Sequence, residues 1–214
     1  DADENLLSEG IEASRIFRIG HVMIDSLRRM EHLADASDVL LRLGLHEGGY
    51  GLVTLHRPSN VDDKGVLEGI LGALGEIQEQ LPLVFVLHPR TRKQIEAFNL
   101  EAKVQGMNNM LITPPVGYLE MLKIQKCARL VLTDSGGLQE ETTAFGVPCL
   151  TLRENTERPV TLREGTNTLV GVDPVEILQG ANAALEEIPG SGSVPELWDG
   201  LAAQRLVTVL QDHL

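Results

Sequence analysis

Histidine and arginine recur in this chain where apolar runs stop. His56-Arg57 follows the run 51–55, and His88-Pro89-Arg90 follows 83–87. Asp134-Ser135-Gly136-Gly137 follows 130–132, and a charged loop, Arg153-Glu154-Asn155-Thr156-Glu157-Arg158, follows 147–152. A guanidinium matches phosphate with a two-pronged fork, and a histidine adds a donor that titrates near neutrality. The glycine pair removes side chains where a helix would begin, so that unpaired backbone amides there can meet an anion. Glu140 and Glu141 fall in the first turns of that helix and suit its dipole. Glu141 beside such a site suits the two hydroxyls of a ribose. Taken one at a time these features are ambiguous. A histidine after a strand serves structure as readily as catalysis, and a strand–Gly–Gly–helix turn can be a mere connection. Four consecutive ends of this kind, in an acidic protein, point to a nucleotide or sugar-nucleotide site.

These ends converge only if the runs are strands of one sheet. Runs 51–55, 83–87, 130–132 and 147–152 are short, apolar and rich in branched residues, as strands buried on both faces are. A weaker strand is expected at 110–112, a last one at 168–172 and a short one at 15–19. Helical spacing covers 22–33, 37–43, 64–80, 91–98, 118–127, 159–163, 174–185 and 198–210. Another helix follows the glycine pair, with Leu138, Thr142 and Phe145 near one face and Gly146 as its stop. Residues 189–193 read as a loop. Strand and helix alternate roughly every 20 to 30 residues, which predicts an α/β fold with a doubly wound, Rossmann-like parallel sheet. Ligands of such sheets lie outside the carboxyl ends of the strands.

Composition narrows the function classes. The 214 residues are 43% apolar and carry a formal net charge of −13. That charge argues against nucleic acid as a partner and leaves room for one small anion held by local basic residues. No apolar run approaches the roughly 20 residues that span a bilayer, so no membrane partner is expected. Cys127 and Cys149 sit in apolar surroundings without metal-ligand spacing and read as buried, reduced thiols of a cytoplasmic protein. His32 and His46 fall on polar, solvated positions. There is no Gly-x-Gly-x-x-Gly, no P-loop and no zinc pattern, so neither cofactor nor metal is expected. The opening Asp-Ala-Asp-Glu-Asn has no initiator Met and no signal pattern, and reads as the interior of a longer protein.

The sequence resembles the non-hydrolysing UDP-N-acetylglucosamine 2-epimerases through nearly all of its length. The resemblance rests on Leu52-Val53-Thr54-Leu55-His56-Arg57, His88-Pro89-Arg90, Thr133-Asp134-Ser135-Gly136-Gly137-Leu138-Gln139-Glu140-Glu141 and Thr156-Glu157-Arg158-Pro159. Gly20 and Ile24-Asp25 also fit the family's entry into its C-terminal half. The resemblance implies two Rossmann-like domains of glycosyltransferase-B type, of which this chain is the C-terminal one. It also implies interconversion of UDP-GlcNAc and UDP-ManNAc, with UDP eliminated to leave a 2-acetamidoglucal and then re-added. By position, His56 matches the catalytic histidine, and Ser135, Gly136 and Gly137 the phosphate-binding turn. Glu141 matches the ribose-binding carboxylate, and Arg57, His88 and Arg158 are UDP-contacting positions. The implied partners are UDP-GlcNAc and UDP, with a homodimer for the full-length protein.

The chain departs from the family's pattern in two ways. Many members read His-Arg-Arg-Glu-Asn after the strand, where this chain reads His56-Arg57-Pro58-Ser59-Asn60, so activation by a second UDP-GlcNAc is not expected. The catalytic carboxylates belong to the other half of the family's length, so the chain alone is expected to bind UDP without turnover. The implied division is 1–14 as the end of the preceding domain, 15–190 as the UDP-binding domain, and 191–214 as a helix that packs on the missing domain. Leu201, Leu206 and Leu210 would then be exposed and promote self-association. A hydrolysing epimerase releasing ManNAc, a B-type glycosyltransferase and a non-catalytic sugar-nucleotide module remain as alternatives.

Overall fold

Alternation along each strand sorts the buried side chains into two cores. The computed structural model describes residues 2–186 and 192–213. Its strands are β1 (Gly51–Thr54), β2 (Leu83–Val86), β3 (Met110–Thr113), β4 (Leu130–Thr133), β5 (Cys149–Thr151) and β6 (Asn167–Leu169). The helices are α1 (Ala2–Ser8), α2 (Val22–Asp35), α3 (Val39–Leu43), α4 (Pro58–Val61), α5 (Lys64–Ile77) and α6 (Pro89–Ala97). They continue with α7 (Glu101–Gln105), α8 (Tyr118–Lys126), α9 (Gly136–Phe145), α10 (Pro159–Arg163), α11 (Pro174–Glu186) and α12 (Ala202–His213). Val53, Leu83, Phe85, Leu130, Leu132 and Leu150 point to one face, where α5, α7 and α11 bring Ile70, Leu74, Val104 and Ile177. Leu52, Val84, Val86, Val131 and Cys149 point to the other and meet Val39, Ile124 and Val147. Outside that second layer α2 packs on α8 through Ile24, Leu27 and Leu122, with Trp198 closing the cluster.

All strand pairs are parallel, in the order β3-β2-β1-β4-β5-β6. The doubly wound, Rossmann-like sheet expected from the sequence is therefore the fold. Chain direction across the sheet reverses between β1 and β4, and the crevice of such a sheet opens at that switch point. Register then decides which loops meet. Thr54 pairs with Thr133, so the residues just beyond them, His56 on one strand and Asp134 on the other, are brought side by side.

Three expectations are corrected. Residues 15–19 form no strand: Ala13–Arg15 is a 3-10 turn, and Ile16 to Ile19 join no ladder although Ile16 has extended dihedral angles. This segment instead lines a groove with Trp198 and Arg158. The last helix begins at Ala202 rather than 198. Its first amides, of Ala202 and Ala203, donate to the Asp25 carboxylate at 3.1 and 2.7 Å, a cap supplied by α2. Two short helices, α4 and α7, lie where no helix was expected. The expected boundary at 190 and most of the loop 189–193 lie outside the described residues. Leu201, Leu206 and Leu210 are exposed. No helix among the described residues is long and apolar enough to cross a membrane.

Candidate functional site

Asp134 is fully buried at the end of β4, and four donors converge on it. The backbone amides of His56 and Arg57 donate to its oxygens at 2.9 and 2.8 Å, and Asn60 Nδ2 lies at 3.3 Å. His56 Nδ1 stands 2.8 Å from Asp134 Oδ1. The sequence offers Asp134 as an N-cap for α9; the β1–β4 register turns it to the β1 loop instead. A carboxylate on Nδ1 holds the proton there, leaves Nε2 with its lone pair, and stabilises the imidazolium when Nε2 takes a proton. Asn60 completes the bracket by donating to the Leu152 carbonyl at 2.7 Å, tying the β1 and β5 loops together.

His88 is the N-cap of α6, and its Nδ1 accepts the Arg90 amide at 3.1 Å. This puts the ring proton on Nε2. The two rings lie 5.6 Å apart, one presenting a lone pair and the other an N–H. Together with Ser135 they line a cavity of ≈ 180 Å³ whose remaining wall includes Val86, Pro115, Val116, Met121 and Leu138.

α9 starts without a side-chain cap. Ser135 occupies the N-cap in extended conformation, its own amide donating to Thr133 Oγ1 at 3.0 Å. A Cβ placed on Gly136 would approach Arg158 Nε at 4.0 Å, and one on Gly137 would approach Ser135 Oγ at 3.9 Å. The protein itself therefore leaves room for side chains at both positions. Gly146, with φ +72°, ends the helix in the left-handed conformation.

The helix presents different chemistry on two faces. Residues 136 and 140 share one face, four apart. There Glu140 Oε1 meets Arg158 Nε at 2.5 Å and His21 Nε2 at 2.9 Å. Leu138 and Glu141 share the other. Glu141 Oε2 accepts from Gln125 Nε2 at 2.6 Å, and Oε1 from the Tyr118 hydroxyl at 3.3 Å. Burial holds the Glu141 carboxyl above the usual range, against the lowering effect of those two donors. Burial also pushes the Tyr118 hydroxyl up to about 12, with Glu141 adding to it. The helix begins at Gly136, so both residues fall in its second turn, where side-chain partners hold them.

The loop carrying Arg158 is fastened from below. Gln139 Oε1 accepts from Thr156 Oγ1 at 2.6 Å, and Thr156 Oγ1 accepts the Arg158 amide at 3.0 Å. Thr161 Oγ1 donates to the Arg158 carbonyl at 2.7 Å. Two arginines from the strand-end pattern face carboxylates instead of the crevice. Arg90 pairs with Asp62, and Arg153 holds Glu157 in a fork that pulls its carboxyl down to about 2. Arg57 keeps its main chain on Asp134, and its Nε donates to the Asp134 carbonyl at 3.4 Å. Both cysteines are buried and free, and burial raises Cys149 to about 12.

The structure thus groups His56, His88 and Ser135 around one cavity, sets Arg158 beside Gly136, and places Glu141 on the α8 side of the same helix. Sequence reading missed Asp134 as the hub of the β1 loop, Asn60 as its second anchor, and His21 and Glu140.

Residues 1–211 match the family described as UDP-N-acetylglucosamine 2-epimerase. The UDP-N-acetylglucosamine 2-epimerase of Methanocaldococcus jannaschii is 40% identical over 191 residues, 87% of this chain and 52% of the relative. A UDP-2,3-diacetamido-2,3-dideoxy-D-glucuronate 2-epimerase of Pseudomonas aeruginosa is 42% identical over 188 residues, 86% of this chain and 50% of that protein. The crystal structure of the M. jannaschii enzyme with UDP-GlcNAc and UDP superposes with a TM-score of 0.88 at 38% identity, covering 99% of this chain and 59% of that one. The Neisseria meningitidis enzyme bound to UDP-GlcNAc gives 0.80 at 25% identity, with 99% and 59% covered. The chain spans about half the length of the relatives it matches. With six parallel strands in this order and the match running from residue 1 to 211, the chain belongs to the UDP-N-acetylglucosamine 2-epimerase family.

Proposed function

We propose that this chain is the UDP-holding half of a non-hydrolysing UDP-GlcNAc 2-epimerase. The observation that carries the reading is the uncapped, glycine-opened start of α9, set between Arg158 on one side and the His56–His88 cavity on the other. The amides of that turn and Ser135, Gly136 and Gly137 receive the diphosphate, and Arg158 neutralises it. Glu141 takes the ribose hydroxyls, and the apolar cavity beside Leu138 and Met121 takes the base. Residues 15–190 make up this binding unit, 1–14 end the domain before it, and the exposed side of α12 faces that domain. A full-length homodimer follows from family resemblance and is tested by light scattering.

His56 is the catalytic group of this half. In the forward direction the C1–O bond to the β-phosphate breaks as a base in the other half removes the C2 proton, leaving 2-acetamidoglucal and UDP. Protonated at Nε2 and backed by Asp134, His56 stabilises the charge that develops on the departing phosphate oxygen. UDP returns to C1 after C2 is protonated on the opposite face. The M. jannaschii complex supports UDP-GlcNAc as ligand; the P. aeruginosa relative has a different sugar on the same UDP handle.

Calorimetry tests the binding reading. UDP is expected to bind in preference to ADP, at a site that is lost in His88→Ala or Glu141→Ala. Equal affinity for UDP and ADP overturns it. For the polypeptide carrying both halves, UDP-GlcNAc in heavy water is expected to yield UDP-ManNAc with deuterium at C2. Free ManNAc would mark a hydrolysing enzyme, and absence of deuterium a transferase.

A further inference from the structure

The UDP reading gives Glu141 a task and leaves its neighbour Glu140 without one. Glu140 is the more buried of the two and only 7% exposed. A carboxylate so far from water needs donors that compensate for its lost hydration. Both donors reach the same oxygen, Oε1, from distant parts of the chain: His21 Nε2 at 2.9 Å and Arg158 Nε at 2.5 Å. His21 is itself immobilised. Its Nδ1 accepts the Met23 amide at 3.1 Å, which puts the ring proton on Nε2, and its ring meets Trp198 edge-on at 5.1 Å. Arg158 is fastened through its main chain to Thr156 and Thr161, and its Nη1 donates to the Glu157 carbonyl at 3.2 Å. Glu140 on Nε and the Glu157 carbonyl on Nη1 together fix the direction of the guanidinium, and Glu140 is the charged one of the two.

We infer that Glu140 is a positioning residue for Arg158, aiming its guanidinium across the start of α9 at the diphosphate. The four-residue spacing from Gly136 puts Glu140 one turn below the glycines, so the carboxylate, the guanidinium and the bare amides lie in one line along the helix face. A long arginine side chain held this way loses its rotamer freedom on folding rather than on binding, which favours capture of the anion. His21 serves as the second clamp, keeping Oε1 in place when Arg158 engages phosphate. The inference rests on the proposed UDP site.

The test is calorimetric titration of UDP and of uridine into the 214-residue chain. Glu140→Ala is expected to weaken UDP about tenfold, the scale of one charge-assisted contact, and to leave uridine unchanged. Glu140→Gln keeps an oxygen that can accept both N–H groups and restores most of the loss. In an Arg158→Ala background, Glu140→Ala has no further effect. Equal weakening of UDP and uridine, or full additivity with Arg158→Ala, overturns the inference. A wild-type chain that binds no UDP overturns the site and the inference together, whereas UDP binding that is indifferent to Glu140→Ala sinks the inference alone. If the alanine variant does not fold, the Nε–H resonance of Arg158, assigned by its absence in Arg158→Lys, gives the same answer. A protected signal supports a held guanidinium, and rapid exchange overturns it.

Discussion

Helices α6 and α9 start at the same edge of the same sheet, one after β2 and the other after β4, with β1 between them. Both turn a helix N-terminus toward the crevice, and both follow a residue able to cap. α6 closes itself: Pro89 has no N–H to offer, and His88 Nδ1 takes the Arg90 amide. α9 stays open. Ser135 makes no side-chain cap, the next two residues are glycines, and Asp134 is spent on the β1 loop. A helix N-terminus is therefore not a site by position alone. What sets α9 apart is that its potential cap is diverted sideways, where it organises His56, while its first amides have no side-chain cap.

Side chains added at the start of α9 would have the largest effect. Alanine at position 136 or 137 meets nothing closer than 3.9 Å, and alanine favours a helix over glycine by about 0.5–1 kcal/mol. Gly136→Ala and Gly137→Ala are thus expected to melt at the same temperature as wild type or higher. UDP affinity should fall on the order of 100-fold, the loss of two hydrogen bonds to a charged group at about 1.5 kcal/mol each. Calorimetry paired with thermal melts reads both at once. A variant that keeps UDP would show the glycines to be a mere connection.

Next in size is Asp134→Asn, which keeps shape and removes half the acceptor. Asp134 receives two backbone amides, Asn60 and His56, so the new amide group faces donors it cannot accept. A loss of about 2 kcal/mol in chemical denaturation is expected from those unmet buried donors. The effect should fall on stability and on His56 more than on phosphate capture. If UDP affinity collapses while stability holds, the division of labour between Asp134 and the glycine turn is wrong.

Much of this was legible in the chain because the relevant forces are local. β1, β2, β4 and β5 are branched apolar runs buried on both faces, and α10, from Pro159 to Arg163, begins and ends where read. β3 was weak for a physical reason: it is an edge strand whose Leu111 and Ile112 remain 38% and 36% exposed. Residues 15–19 misled because Ile16, Phe17 and Ile19 are strand-like by composition, yet they line a groove with Trp198 and Arg158 and join no ladder. The candidate site was legible wherever one residue type followed a strand. It was not legible where two strands had to be adjacent first. Asp134 reads as a cap until β1 lies beside β4. Glu140 and Glu141 look interchangeable until helix rotation sends one to Arg158 and the other to Tyr118 and Gln125.

The closed helix supplies a smaller test. His88→Ala removes the α6 cap and should cost about 1 kcal/mol, whereas His88→Asn supplies an oxygen for the same amide and should restore most of it. Both variants lose the Nε2–H that faces the cavity, so both should bind UDP more weakly by a similar factor. Recovery of UDP binding in His88→Asn would reduce His88 to a cap and make α6 purely structural.

The smallest effect concerns the α8 face of α9, and its sign can be worked out. Burial raises the folded-state pKa of Glu141 above the usual range, so the folded chain holds that proton more tightly than the unfolded one. The resulting stability is fully present below the unfolded pKa and is lost as pH rises through the raised folded value. Ribose hydroxyls donate to the ionised form, so UDP affinity should move the other way and rise over the same window. Glu141→Gln removes both trends. As pH rises from about 4 through the raised folded value, wild type should lose stability relative to Glu141→Gln while gaining in UDP affinity relative to it. Parallel slopes in melting temperature would mean that Glu141 is solvated rather than buried. Parallel slopes in affinity alone would move the ribose away from this carboxylate and leave it as a structural acceptor for Gln125 and Tyr118.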